Sequence, residues 1–212
     1  MNEYENLNRE LSEAGVPDHV FMEQKGKPID TLVNTKTSSH PYEDILIEYL
    51  YKLSGSNLEM VVRALTEKKN KKAAPYLLKI IQRRNGLSKH NLWAVGNALY
   101  TIDNKNTYSE IMNLCRDKSL GIGRAKLFGV LSRIRTEEAF DILVKNLSDQ
   151  EVRGDVIEAL GRFGDPKAIP LLENLTPDKE KYEFKARNTA LKRLKEKKLG
   201  STLGIKNRSD CA

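Results

Sequence analysis

The stretch EVRGDVIEALGRFGDPKAIPLLENL, residues 151–175, contains two short amphipathic patterns separated by a strong turn signal. Apolar side chains spaced i, i+3 and i+4 form the buried stripe of a helix, and the second pattern has them at Ala168, Leu171 and Leu172. The turn signal is Gly164-Asp165-Pro166. Glycine ends a helix, aspartate caps the next one and proline suits its first position. The stretch therefore predicts two helices, A and B, joined by a tight turn.

Both patterns recur along the chain. The landmark of helix A appears at Ala64-Leu65, Ala98-Leu99, Val130-Leu131, Ala159-Leu160 and Ala190-Leu191, with leucine intervals of 34, 32, 29 and 31 residues. The landmark of helix B appears at Tyr42/Ile45/Leu46, Ala73/Tyr76/Leu77, Tyr108/Ile111/Met112, Ala139/Ile142/Leu143 and Ala168/Leu171/Leu172. One helix pair cannot bury its apolar stripe alone, so neighbouring pairs must stack. We expect an all-α fold, a right-handed α-solenoid (superhelix) of antiparallel helix pairs, and no segment alternates as a strand would.

The best copy of the repeat resembles the bacterial HEAT repeats that are described as similar to those of phycobilisome lyases. The matching residues are Val152-Arg153, Ala159-Leu160-Gly161, Asp165, Ala168 and Leu172. Residues 121–147 are a looser copy, with Arg124 in the place of Arg153. The resemblance implies that Arg124, Arg153 and Asp165 tie adjacent repeats together, with ligand binding as the alternative role. Chromophore lyase activity rests on the family name alone.

The repeat boundaries divide the chain into three regions. Residues 1–56 depart from the pattern and are expected to form an acidic N-terminal cap with a degenerate helix pair. The HEAT-like repeats are expected over 57–198, as 57–84, 88–116, 120–147, 149–175 and a final helix 179–198. Residues 199–212 are expected to be a flexible tail.

Charge and composition limit the possible partners and the cellular compartment. The formal net charge is +7, of which residues 1–56 contribute −5 and the rest +12. This asymmetry favours an anionic partner for the larger part, although a basic surface also serves solubility. No apolar run approaches the ~18 residues of a membrane span, and no signal peptide pattern opens the chain. We therefore expect a cytoplasmic protein without membrane contact, and a monomer.

The residues that usually carry catalysis or bind metals are few and scattered. His19, His40 and His90 have no carboxylate or cysteine partner at a useful spacing, and the two cysteines, Cys115 and Cys211, are far apart. No glycine-rich phosphate loop is present. We expect no cofactor, no metal and no catalysis.

Two surfaces are candidates for binding. If the B helices line the concave face, its outward positions include Glu48, Tyr51, Lys79, Arg83, Asn113 and Lys145. A surface of mixed sign suits a protein or peptide segment better than a phosphate backbone. The turns between A and B helices would place along one edge the residues Lys68, Lys69, Lys71, Lys72, Arg133, Arg135 and Lys167. This basic edge makes nucleic-acid binding the alternative function. The opposing interpretation is that these are solvated turn residues, since no aromatic residues are interleaved with them to stack bases.

A third candidate is a small pocket formed by Trp93 and Asn97, four residues apart on one helix A. Packing at the seam between repeats is the other interpretation of this pair. Taken together, the sequence predicts a non-catalytic binding scaffold or adaptor that acts through its concave face.

Overall fold

The computed structural model describes residues 2–21, 24–84, 86–179 and 181–209, with side chains described except at 21, 24 and 200–209. The chain forms two compact units, residues 1–127 and 128–212. In both units nearly all regular structure is helical.

The first unit contains seven α-helices within its described residues. They are α1 Glu3–Glu13, α2 Pro28–Asn34, α3 Glu43–Tyr49, α4 Gly55–Ala64, α5 Ala74–Arg83, α6 Lys89–Ile102 and α7 Tyr108–Arg116. Short 3-10 segments lie at His40–Tyr42, Lys105–Thr107 and Lys118–Arg124. Helix α4 contacts α6, so the A helices of successive pairs lie side by side.

The second unit continues the same alternation. Its helices are α8 Leu127–Ile134, α9 Glu137–Lys145, α10 Arg153–Phe163, α11 Ala168–Glu173 and α12 Tyr182–Ser209. Helix α10 contacts both α9 and α12, and α11 also contacts α12.

The predicted turn signals lie at the ends of these helices, although α11 begins at Ala168, two residues after Pro166, and not at the proline itself. Gly164 adopts a positive φ of 76° after α10, and its N–H donates to the Leu160 carbonyl at 3.1 Å. Asp165 then accepts the backbone N–H of Lys167 at 2.9 Å. Before α9, the Thr136 hydroxyl accepts the N–H of Ala139 at 3.2 Å. These bonds satisfy backbone groups that a helix end leaves without partners.

The recurring leucines form the core of each unit. Leu65 and Leu99 in the first unit, and Leu131 and Leu160 in the second, are at most 1% exposed. Burying a leucine side chain stabilises the folded state by about 1.5–3 kcal/mol, so the repeated position is a main source of stability. The prediction of an all-α solenoid of helix pairs is confirmed, while the hand of its superhelix stays a prediction.

One small departure lies near the N-terminus. Val20–Phe21 and Gln24–Lys25 pair as a two-residue antiparallel hairpin, where the sequence predicted no strand. Two paired residues are too few to show the alternation by which strands are recognised. The helices around it are tied together by Asn8, whose Oδ1 accepts the N–H of Ile29 at 3.1 Å.

The last helix is longer than predicted. Helix α12 ends at Ser209, past residue 198, where the sequence placed the end of the final helix and the start of a tail. Residues 199–209 contain no proline, and each glycine costs a helix only about 1 kcal/mol. Flexibility of this segment stays a prediction, as does the division at 56 and 198. Residues 210–212 of the predicted tail lie outside the described residues.

Candidate protein-binding surface

Aromatic and cationic side chains meet on the B helices of the first unit. The Arg83 guanidinium lies 5.1 Å from the ring centroid of Tyr51, and the Lys79 Nζ lies 5.7 Å from that of Tyr76. Cations at such distances are attracted to the negative face of the ring. We call these four residues the tyrosine–cation surface.

Helix α5 positions three of the four residues. Leu77 and Ile81 are fully buried and fix the inner face of the helix. Tyr76, Lys79 and Arg83 follow one another at spacings of three and four residues, so they share the opposite face. Tyr51 comes from the turn after α3 and is 42% exposed. The surface is therefore held by a helix whose other side is anchored in the core.

The charge of this surface is positive. Lys79 and Arg83 make no ion pair with a carboxylate among the residues whose side chains the structure describes. Two acidic residues of α3 are already paired with lysines, because Glu48 binds Lys52 and Asp44 binds Lys72. Burial raises the pKa of Tyr51, while the nearby Arg83 lowers it. Two cations of the tyrosine–cation surface are thus without a carboxylate partner among these residues.

The turn between α4 and α5 adds exposed lysines next to this surface in the chain. Lys68, Lys69 and Lys71 are exposed, whereas Asn70 between them is fully buried. The Asn70 side chain accepts the N–H of Ala73 at 3.1 Å. This buried asparagine fixes the backbone and leaves the lysine side chains in solvent.

The remaining residues of the predicted concave face have separate environments. Asn113 on α7 accepts a hydrogen bond from Arg116 at 3.0 Å. Lys145 ends α9 in the second unit and is exposed. Arg84 follows Arg83 but is engaged by Asp117 and Ser119. The structure thus brings Tyr51, Lys79 and Arg83 together, with Glu48 paired beside them, and the role of all these residues stays a prediction.

The predicted basic edge is distributed over both units. Lys68, Lys69, Lys71 and Lys72 share the α4–α5 turn of the first unit, and Lys72 is paired with Asp44. In the second unit, Arg133 lies in the last turn of α8, Arg135 follows α8 at a φ of 56°, and Lys167 precedes α11. A continuous edge stays a prediction.

The predicted pocket residues occupy the flank of α6. Trp93 is 41% exposed, and the Lys126 Nζ lies 5.9 Å from its ring centroid. Asn97 is half-buried on the same helix. The indole is thus already in contact with a cation of its own unit, and ligand binding by this pair stays a prediction.

The arginines highlighted by the family resemblance make contacts between helices. Arg124 is fully buried and donates through Nη1 to the Cys115 carbonyl at 3.1 Å. Arg153 on α10 binds Glu183 on α12, with 2.8 Å between Nε and Oε2. Burial raises the pKa of the Cys115 thiol, so this cysteine is a protonated core residue. These contacts assign the two arginines to packing within each unit.

One histidine has partners that the sequence analysis missed. His40 Nδ1 lies 2.5 Å from Glu43 Oε1, and its Nε2 lies 3.5 Å from Glu67 Oε1. The prediction that His40 has no carboxylate partner is therefore wrong. Glu43, three residues away, was a visible signal, since the first turn of α3 brings such positions together. Within the described part of the chain, no group of three or more His, Cys, Asp or Glu residues is arranged to hold a metal ion.

Comparison with known proteins gives one family match. Residues 122–192 match the family model of HEAT repeats, which covers 71 of the 212 residues. No curated protein and no solved structure matches the chain. Among the helices of the described residues, none is both long and apolar enough to cross a membrane. The relationship to phycobilisome lyases stays a prediction. HEAT repeats commonly serve as protein-interaction scaffolds, and over residues 122–192 this chain is similar to them.

Proposed function

We propose that this chain is a non-catalytic protein-binding scaffold whose tyrosine–cation surface binds an acidic segment of another protein. The observation that carries the proposal is the contact of Arg83 with the exposed ring of Tyr51. Tyrosine and arginine are enriched among the residues that dominate binding energy at protein interfaces. Here both are held on a rigid helical scaffold, so little conformational entropy is lost on binding.

Charge complementarity argues for an acidic partner. Lys79 and Arg83 pair with no carboxylate in the described part of the chain, and the exposed Lys68, Lys69 and Lys71 lie in the turn before α5. Asp44 and Glu48 of α3 already have cationic partners within the unit. An acidic segment therefore gains charge pairs without displacing existing ones.

A protein segment fits this surface better than a nucleic acid. The rings of Tyr51 and Tyr76 are each contacted by a cation, whereas base stacking requires an open ring face. HEAT repeats commonly mediate protein interactions, which supports the same choice.

The test is selection of a random peptide library on the full chain, followed by anisotropy titration of the labelled peptides. We expect acidic sequences to be enriched. Replacing Lys79 and Arg83 by glutamine should weaken their binding by about tenfold or more, since hot-spot truncations cost 2 kcal/mol or more. The matched control replaces two exposed lysines of the same unit, K105Q with K118Q, and should bind as the unchanged chain does.

Two results would contradict the proposal. One is enrichment of peptides without acidic residues, or equal losses in the K79Q/R83Q and control variants. The other is stronger binding of duplex DNA or RNA than of any selected peptide, with a steep salt dependence. That result would favour the alternative function of nucleic-acid binding.

A further inference from the structure

A shallow cleft with a volume of about 200 Å³ opens between α10 and α12 in the second unit. Lys185, Thr189 and Arg193 line it from α12, and their spacing of four residues places them on one face of that helix. Glu158 and Arg162 line it from α10. The cleft thus has polar side chains on both walls.

Close backbone packing fixes the position of these walls. A Cβ atom added to Gly161 of α10 would lie 2.7 Å from the Cβ of Ala190 on α12. One added to Gly154 would lie 2.6 Å from the ring of Tyr182. Only glycine permits such an approach, so α10 and α12 lie close together at both positions. The cleft is therefore preformed.

The cleft carries a positive charge that its own carboxylate does not neutralise. The Tyr182 hydroxyl donates to Oε1 of Glu158, and Arg162 Nη2 lies 2.7 Å from Oε2. Burial and the bond to Glu158 raise the pKa of Tyr182, which therefore remains a donor. Lys185 and Arg193, by contrast, pair with no carboxylate among the residues with described side chains. Two cations thus face the cleft without a carboxylate partner in the part of the chain that the structure describes.

We propose that this cleft binds a phosphoryl monoester group. Such a group carries about −1.5 to −2 charges at pH 7, which matches the two cations Lys185 and Arg193. The planar guanidinium of Arg193 suits two oxygens of one phosphate, and the Thr189 hydroxyl is a further donor. The methyl groups of Ala186 and Ala190 line the cleft beside them and offer contact to the carbon atoms of the ester.

The size of the cleft limits the ligand. Small-molecule pockets usually have about 300–1,000 Å³, so a cleft of about 200 Å³ takes a phosphorylated side chain or a small phosphate ester but not a dinucleotide. A phosphoryl monoester can come from two sources, a phosphorylated residue of another protein or a free small phosphate ester. The test below separates them.

The test is an NMR titration of the full chain, uniformly labelled with ¹⁵N, at constant ionic strength. The probes are inorganic phosphate, O-phosphoserine, and one serine peptide in its phosphorylated and unphosphorylated forms. We expect saturable shifts of the backbone amides between 182 and 193 with inorganic phosphate, O-phosphoserine and the phosphorylated peptide, and none with the unphosphorylated peptide. A phosphopeptide that binds about tenfold more tightly than O-phosphoserine indicates a protein source, and equal affinities indicate a free phosphate.

Double variants distinguish binding at this cleft from non-specific attraction of phosphate to a basic protein. Lys185→Gln with Arg193→Gln should weaken binding of the phosphorylated probes by about tenfold or more, because both charge-assisted contacts are lost. The control Lys179→Gln with Lys192→Gln removes two charges of the same unit that do not line the cleft. Equal losses in both double variants would overturn the proposal, as would the absence of saturable shifts at millimolar phosphate. Since both pairs are exposed, circular dichroism should show unchanged folding.

Discussion

Arg153 of α10 and Glu183 of α12 form a two-point ion pair in which Nε and Nη2 of the arginine lie 2.8 Å and 2.7 Å from the same carboxylate oxygen. The side chains are only 26% and 12% exposed. Solvent screens such a pair less than one on the open surface. The pair joins neighbouring A helices of the second unit, as the resemblance to HEAT repeats implied for this arginine.

Replacing Arg153 by glutamine should destabilise the second unit. The change leaves a mostly buried carboxylate without its cation, and loss of a charged hydrogen-bond partner costs about 1–3 kcal/mol. The measurement is urea unfolding followed by circular dichroism, together with hydrogen exchange of the α12 amides. Lys192→Gln, which removes an exposed i,i+4 pair with Glu196, should change the free energy of unfolding by about 0.5 kcal/mol or less. Equal effects of the two changes would show that the Arg153 pair is not a structural tie.

Gly161 of α10, which lies against Ala190 of α12, gives a second prediction. Gly161→Val should destabilise the chain by about 1–3 kcal/mol, because the new side chain would overlap the Cα and Cβ of Ala190. Thermal unfolding followed by circular dichroism measures this. Asn188→Val, which places the same side chain at an exposed position of α12, should have a smaller effect. A stabilised Gly161 variant would mean that helix propensity outweighs the overlap.

A buried side chain in the α4–α5 turn gives a third prediction. Asn70→Ala removes the acceptor of the Ala73 N–H and a donor to the Leu65 carbonyl, and should cost about 1–3 kcal/mol of unfolding free energy. Lys71→Ala in the same turn removes only an exposed side chain and is the matched control. Fluorescence of Trp93 during urea unfolding reports on this unit. No difference between the two variants would show that the turn does not depend on Asn70.

The helix pairs were predictable because their signals are local. Leu65, Leu99, Leu131 and Leu160 stand at the same place in each repeat, and periodicity alone assigns them to the core. The turn at Gly164 was equally predictable, since glycine readily adopts a positive φ.

The candidate sites were less predictable because the side chains that form each site come from different elements of the fold. The sequence placed Tyr51 and Arg83 on one face but could not show their contact, which depends on the packing of consecutive B helices. The cleft lined by Lys185 and Arg193 was missed altogether, since in the sequence these cations look like solvated residues of a basic helix. The structure shows that Glu158 is engaged by Arg162 and Tyr182, so that it does not pair with Lys185 or Arg193.

His40 makes stability depend on pH. The hydrogen bond with Glu43 raises its pKa above the ordinary 6.5, against an opposing effect of burial and with support from Glu67. Its contribution to folding is therefore fully present below about pH 6.5 and is lost as the pH rises through the folded-state pKa.

For Glu67, burial opposes ionisation, but hydrogen bonds from Ser39 and Ser38 outweigh it and lower the pKa below 4.5. Its contribution is lost as the pH falls through that lowered value.

His40→Gln should remove the part of the pH dependence that lies above the ordinary histidine pKa. The measurement is the free energy of urea unfolding as a function of pH, together with the titration of the His40 ring protons by NMR. We expect the unchanged chain to lose stability between mildly acidic and mildly basic pH, and the variant to lose less, since it has no proton to release there. His90→Gln, at an exposed position in the first turn of α6, is the control and should keep the original slope. A His40 pKa at or below 6.5 would show that the two glutamates do not hold the charged ring in solution.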